Sequence, residues 1–208
     1  MVLRVWTPGG AALAVLLALT ATTARPARAQ VTSEPESPHP DPSKFARGLY
    51  SEAEVGTLVF VGEAAPRVGV GALLGGRLGY DLFRWLAVQG HALGSTHTTR
   101  FPNAPQAGQL LQLYQGTAEA KLTVRFGQTS LAAMGGAGLV RLSTNLLGTT
   151  GLTDPDVKST TVVLGGLGLD YHTQSRHFSF GLAATFARYQ RVRTAGAIAA
   201  SAYARYTF

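Results

Sequence analysis

Nine polar residues lie where their nearest neighbours along the chain are mostly small or apolar: Glu52, Glu54, Arg77, Gln89, His91, Glu119, Lys121, Arg125 and Arg205. Gathered on one surface, they could neutralise one another as an ion-pair network, with Glu52, Glu54 and Glu119 offsetting Arg77, Lys121, Arg125 and Arg205. The functional alternative is a gate or a narrow polar path. A second pattern is His177-Phe178-Ser179. Two residues apart on a strand, His and Ser share a face, and an imidazole there can activate a hydroxyl. The plain alternative is an ordinary strand and turn. The five histidines, His39, His91, His97, His172 and His177, lack metal-ligand spacing, so no metal site is expected. Asp154-Pro155-Asp156 suits a cation or, equally, a turn. GGLGLDY, residues 165–171, departs from the G-x-G-x-x-G fingerprint and has no helix pattern after it. No catalytic residue and no cofactor is expected.

These residues must be positioned by strands. From Gly48 onward the chain reads as eight extended stretches: 48–61, 69–82, 84–94, 110–126, 130–143, 159–172, 177–190 and 196–208. The fourth is the clearest. Tyr114, Gly116, Ala118, Ala120, Leu122, Val124 and Phe126 alternate with Gln115, Thr117, Glu119, Lys121, Thr123 and Arg125. Period two specifies a strand, because a helix would repeat its apolar residues every three or four. The run exceeds the usual strand of about five or six residues and suits a tilted spanning strand of about nine to eleven. Connections alternate too. Short joins fall near Leu82-Phe83, Gly127–Thr129 and Thr173–Arg176, and longer ones fall between them. LGGRLGY, MGGAGLV and LGGLGLDY form a weak internal repeat whose glycines allow a narrow sheet to bend.

The N-terminal region reads differently. Ala11 to Thr20 is a short apolar run preceded by Arg4 and followed by Ala27-Arg28-Ala29, the form of a cleaved signal peptide over residues 1–29. An uncleaved anchor is the alternative. Residues 30–46, rich in Pro, Ser and acids, read as a flexible leader that buries no apolar face. Losing Arg4, Arg25 and Arg28 with the signal lowers the formal charge of +7 by three. The other basic residues are scattered, so nucleic acid is not expected as a partner. The chain has no cysteine, so disulfides cannot hold it together.

Alternation alone leaves two arrangements, a soluble barrel with its apolar face inside or a membrane barrel with that face outside. The membrane arrangement groups Tyr80, Phe126, Tyr171, Phe178, Tyr206 and Phe208 near one set of strand ends, as an interfacial girdle requires. It also keeps the charges out of lipid. A soluble lipocalin-like barrel is the rival, and it leaves Phe208 unexplained. The alternation ending in Tyr206-Thr207-Phe208 resembles the insertion signal of bacterial outer-membrane proteins. Residues 47–208 resemble the small OmpA/OmpX-like barrels. The resemblance implies an all-β, closed, antiparallel eight-stranded transmembrane barrel with short periplasmic turns and longer outer loops. It also implies the outer membrane of a Gram-negative bacterium as location. Tyr206 and Phe208 would be the handle for the barrel-assembly machinery, and outer-membrane lipid and lipopolysaccharide would be the surroundings. One departure is Arg141, which shares parity with Leu131 and Leu139. Either a bulge intervenes or Arg141 lies above the membrane.

The expected role is a non-enzymatic structural or adhesive anchor. Loops 94–109 and 144–158, or the leader, would meet an envelope protein partner. The expectation extends to a subunit of an envelope-spanning machine, such as a gliding or secretion apparatus. Two alternatives are kept: a narrow channel for small or apolar molecules, and a lipid-modifying enzyme. The His-x-Ser pattern is similar to that of outer-membrane lipid A deacylases, but Phe180-Gly181 replaces their Asn-Ala and the motif falls at the periplasmic end. His97 and Arg100 are expected in a loop, where they meet solvent or lipopolysaccharide.

Overall fold

The computed structural model describes residues 47–99, 110–142, 159–174, 177–190 and 195–208. The signal and leader segments, His39, Arg100, Asp154–Asp156, loop 144–158 and most of loop 94–109 lie outside the described residues. Eight strands form: β1 (Leu49–Gly62), β2 (Gly71–Asp81), β3 (Leu86–Thr98), β4 (Leu110–Phe126), β5 (Thr129–Leu142), β6 (Ser159–His172), β7 (Phe178–Tyr189) and β8 (Ala195–Thr207). Each pairs antiparallel with its neighbours in chain order, and β1 closes on β8 from Tyr50↔Thr207 to Gly62↔Ala195. No helix occurs among the described residues.

Strict alternation sorts the side chains. Val55, Leu74, Leu78, Val88, Leu122, Val124, Leu131, Leu139, Leu167, Leu182 and Ile198 are exposed on the outside. Glu52, Glu54, Arg77, Glu119 and Lys121 are each at most 5% exposed, in the lumen. The exterior therefore fits hydrocarbon, where an unpaired charge near the midplane costs about 2–4 kcal/mol. Among the described strand residues, the outward charges are Arg141 and Arg188, both toward the same end. The register around Arg141 runs unbroken, from Tyr114↔Arg141 on one side to Arg141↔Ser159 on the other. There is no bulge; Arg141 sits at the last turn of pairing before the strand ends.

Two ends are distinguishable. At the turn end, β2–β3, β4–β5 and β6–β7 are joined by short turns, and β1 begins and β8 finishes. At the loop end, β1–β2, β3–β4, β5–β6 and β7–β8 connect. Gly127, with φ of 61°, occupies the left-handed conformation the two-residue β4–β5 turn needs. The β2–β3 join is longer than the sequence suggests. Leu82–Trp85 forms four turn residues, closed by Phe83 N–H donating to Leu86 O at 2.9 Å. The join falls where the sequence places it, at Leu82-Phe83, but Arg84 and Trp85, read there as the start of the third stretch, belong to the turn as well. β3 also runs on to Thr98, so His97 lies inside the barrel rather than in a loop. Its Nδ1–H donates to Gly69 O at 3.0 Å and its Nε2 lies 2.9 Å from Ser95 Oγ, which gives an imidazole a place in the lumen.

Eight strands leave a lumen that side chains can fill. Two large rings fit because glycine stands opposite. Tyr50 lies across Gly79, its partner in β2, and Tyr203 lies across Gly181, its partner in β7. A Cβ at either glycine would fall within the ring. Gly181→Val is expected to abolish the heat-modifiable folded band on gel electrophoresis after refolding. Gly116→Val, whose Cβ meets nothing within 4 Å, is expected to keep it.

Candidate functional site

The lumen has three levels. Toward the loop end it is mainly apolar: Leu58, Phe60, Leu111, Leu113, Val140, Val162 and Tyr189 pack together, with Ser95 and His97 buried at the same level. Ala64 and Val68, from the β1–β2 connection, join the same cluster and are at most 4% exposed. That connection folds inward, with Val68 N–H donating to Ala64 O at 3.0 Å. Phe60 also meets the His97 ring at 5.1 Å between centroids.

The middle level is ionic. β1 and β2 set Glu52 opposite Arg77, and β3 and β4 set Gln89 opposite Glu119. Arg77 Nη1 lies 2.7 Å from Glu54 and 3.5 Å from Glu52, and its Nε lies 3.8 Å from Glu119. His91 bridges two carboxylates, Glu54 at 2.5 Å and Glu119 at 2.8 Å. Both ring nitrogens need a proton to donate, which an imidazolium provides. Gln89 Nε2 donates to Glu119 at 2.6 Å, and Tyr50 OH donates to Gln89 Oε1 at 2.7 Å. Lys121 Nζ lies between Asp170 at 3.3 Å and Glu52 at 3.6 Å. Tyr203 OH donates to Asp170 at 2.5 Å.

Arg205 begins the third level, at the turn end. It pairs with Asp81 at 2.5 Å, lies 3.9 Å from Glu52, and rests on the Tyr50 ring at 3.6 Å. Arg125 lies further toward the turns, in the wall of a cavity of about 320 Å³ shared with Arg205, Asp81, Asp170 and His172. Ser130 Oγ reaches His172 Nε2 at 3.0 Å and Asp170 Oδ2 at 3.3 Å.

The structure thus brings Glu52, Glu54, Arg77, Glu119, Lys121 and Arg205 into one connected set and puts Arg125 beside it. Asp81 and Asp170 complete the charge balance and escaped the sequence reading. Asp170 shares parity with Gly166 and Gly168 and opposes Leu167, Leu169 and Tyr171, so alternation alone could have found it. The six rings Tyr80, Phe126, Tyr171, Phe178, Tyr206 and Phe208 all point outward at the turn end. Tyr206 contacts Phe178 and Phe208 edge-on at 5.0 and 5.1 Å. Phe83 and Trp85, stacked at 5.6 Å on the β2–β3 turn, extend this ring of aromatics and were not among the rings the sequence reading assigned to it. His177 and Ser179 are not brought together. His177 Nδ1 contacts Thr207 O at 2.6 Å, and its ring stacks on Tyr206, while Ser179 is buried in the lumen. Among the described residues, no group of His, Asp and Glu is arranged to hold a metal ion.

No protein-family model matches the chain, and no curated protein matches it. Among solved structures, Neisserial surface protein A superposes with a TM-score of 0.57 at 14% identity, covering 78% of this chain and 99% of that one. The fold is that of the small eight-stranded outer-membrane barrels. The attachment invasion locus protein Ail of Yersinia pestis, solved with the heparin analogue sucrose octasulfate, is similar at 16% identity. It covers 77% of this chain and 99% of its own, with a TM-score of 0.46. The outer membrane enzyme PagL is similar at 14% identity over 76% of this chain and 99% of that one, with a TM-score of 0.47.

In an eight-stranded barrel, a buried charge cannot escape to water without the strands parting. Removing one partner leaves the others uncompensated, at a cost of about 3–5 kcal/mol. Lys121→Met is therefore expected to lower unfolding free energy in urea by about that amount. Adding Asp170→Asn to it is expected to cost less than the sum of the two single changes, because both act on one contact.

Proposed function

We propose that the protein is an outer-membrane barrel of a Gram-negative bacterium with a sealed lumen. It serves as a non-enzymatic scaffold whose loop-end connections face outward for a structural or adhesive partner. The observation that carries this reading is the filling of the lumen: a mainly apolar level, with Ser95 and His97 hydrogen-bonded within it, above an ion-paired one. A channel would need a polar path past Leu58, Phe60, Leu111 and Leu113, all at most 2% exposed. A closed barrel with its longer connections at one end suits a scaffold, since binding residues commonly sit on loops held by a rigid frame. An envelope-spanning assembly is one setting for such a partner.

The turn end would face the periplasm. The ring of aromatics there would sit at headgroup depth, where amphipathic rings are favoured. Tyr206 and Phe208, outward on β8, would present the strand to the barrel-assembly machinery.

Three measurements test the reading. Purified protein in a planar bilayer is expected to give no discrete conductance steps; steady steps would sink the sealed-lumen reading. Trypsin added to intact cells is expected to cleave within the connections containing Arg100 and Lys158 and to spare the turn containing Arg84. Phe208→Ala is expected to reduce the heat-modifiable form in the outer-membrane fraction several-fold. An undiminished amount would remove the assembly role from this residue.

A further inference from the structure

The cavity at the turn end is unlike the rest of the lumen. Its wall carries four guanidinium groups, Arg47, Arg84, Arg125 and Arg205, against two carboxylates, Asp81 and Asp170. One carboxylate pairs with a cation of the wall itself, and the other is held mainly by groups deeper in the barrel. Asp81 takes Arg205, and Asp170 takes Lys121, Tyr203 and Ser130. Deeper in, carboxylates and cations are interleaved; here cations predominate. A concave site with one sign of charge and low-dielectric walls concentrates the field and draws a counter-ion.

Size and position narrow the ligand. The volume, about 320 Å³, lies at the lower end of ligand pockets, roughly 300–1,000 Å³. Arg47 and Arg84 come from outside the strands, while Arg125 and Arg205 rise from the lumen wall, so the guanidiniums converge from different elements. Planar guanidiniums match the oxygens of a phosphate two at a time. The rim includes Gly127, which has no side chain to fill the mouth, and Phe83, stacked on Trp85. Leu82, Phe83 and Trp85 are 47–57% exposed, and the girdle rings lie at the same end. The mouth is thus at the level of the ring where lipid headgroups would stand.

We infer that this basic vestibule binds a phosphate group, either a free phosphate or the phosphodiester of an anionic lipid headgroup. The inference goes beyond the scaffold reading and needs no partner at the loop end. Only its headgroup form requires the turn end to lie against a membrane.

The test uses the full chain refolded into phosphatidylcholine nanodiscs. A Trp6→Phe change leaves Trp85, at the rim, as the reporter of fluorescence. Inorganic phosphate is titrated at constant ionic strength, with chloride as the control anion. In parallel, nanodiscs containing phosphatidylglycerol are used, and co-purifying lipid is counted by native mass spectrometry. Arg84→Gln with Arg125→Gln removes vestibule charge, and Arg188→Gln removes one outward charge at the opposite end. Retention of the heat-modifiable band establishes that each variant is folded.

A saturable response to phosphate, weakened about tenfold or more in the vestibule variant and unchanged in Arg188→Gln, supports the free-phosphate form. No response to phosphate, with retention of phosphatidylglycerol that the vestibule variant loses, supports the headgroup form. The inference is overturned if neither ligand binds, if chloride acts as phosphate does, or if the vestibule variant binds as the wild type does. A conducting lumen would end the sealed-scaffold reading without touching this result, so the two can fail separately.

Discussion

The pairing of β1 with β8 sets the terms for the rest of the molecule. A sheet whose outer face is apolar cannot leave a strand edge bare in hydrocarbon, since each unpaired amide there would cost several kcal/mol. Closure removes the edge, and with eight strands it also fixes a narrow lumen. Every second side chain must then fit inside that space. Bulk, charge and hydrogen bonding in the interior are consequences of closure rather than independent choices. The rings of Tyr50 and Tyr203 illustrate this, because each occupies room that exists only where Gly79 and Gly181 stand opposite. Their hydroxyls then reach Gln89 and Asp170, so the steric solution also anchors the polar network.

The network is costly to assemble, because each charge gives up its hydration. What offsets this is multiplicity. Glu54 meets Arg77, His91 and Ser201, and Glu119 meets Arg77, His91, Gln89 and Thr117. Shared partners spread each charge over several contacts, which a single isolated pair cannot do. The contacts also join strands distant in sequence. Lys121 of β4 holds Asp170 of β6 past the intervening β5, and Arg205 of β8 holds Asp81 of β2 past β1. The ladder fixes neighbours, whereas these ties brace the cross-section.

The fold was legible because alternation is a local signal. β4 and β6 begin and end where their sequence patterns do. The misread positions are those where local composition and long-range geometry disagree. Arg84 and Trp85 look like the start of a strand, yet with Leu82 and Phe83 they form a four-residue turn whose apolar surface extends the aromatic ring at that end. His97 looks like loop because it stands among Ser and Thr, yet β3 continues through it and the lumen receives its ring. The inward charges were recognised by parity. Which charge meets which depends on the register of closure, which no window of sequence contains. Asp170 was lost in a Gly-rich stretch that drew notice for its glycines instead of its alternation.

Polarity along the lumen runs in one direction, and this constrains function more than the fold itself does. The loop end is closed by Ala64, Val68 and the apolar cluster beneath them. Among the described residues, the proposed scaffold has its ionic level cut off from that side and open toward the turns, through Arg205 and Arg125. A barrel serving solely as a plug would need no such gradient, and a conduit would need it at both ends. In the proposed reading, one filled end and one basic, concave end give the molecule two surfaces with different tasks. The apolar cluster separates the loop ends of the strands from the ion pairs, so a substitution in a loop-end connection would leave those pairs in place. The vestibule is tied directly to those pairs through Asp81 and Asp170, so an anion bound there would act on the same residues that brace the barrel.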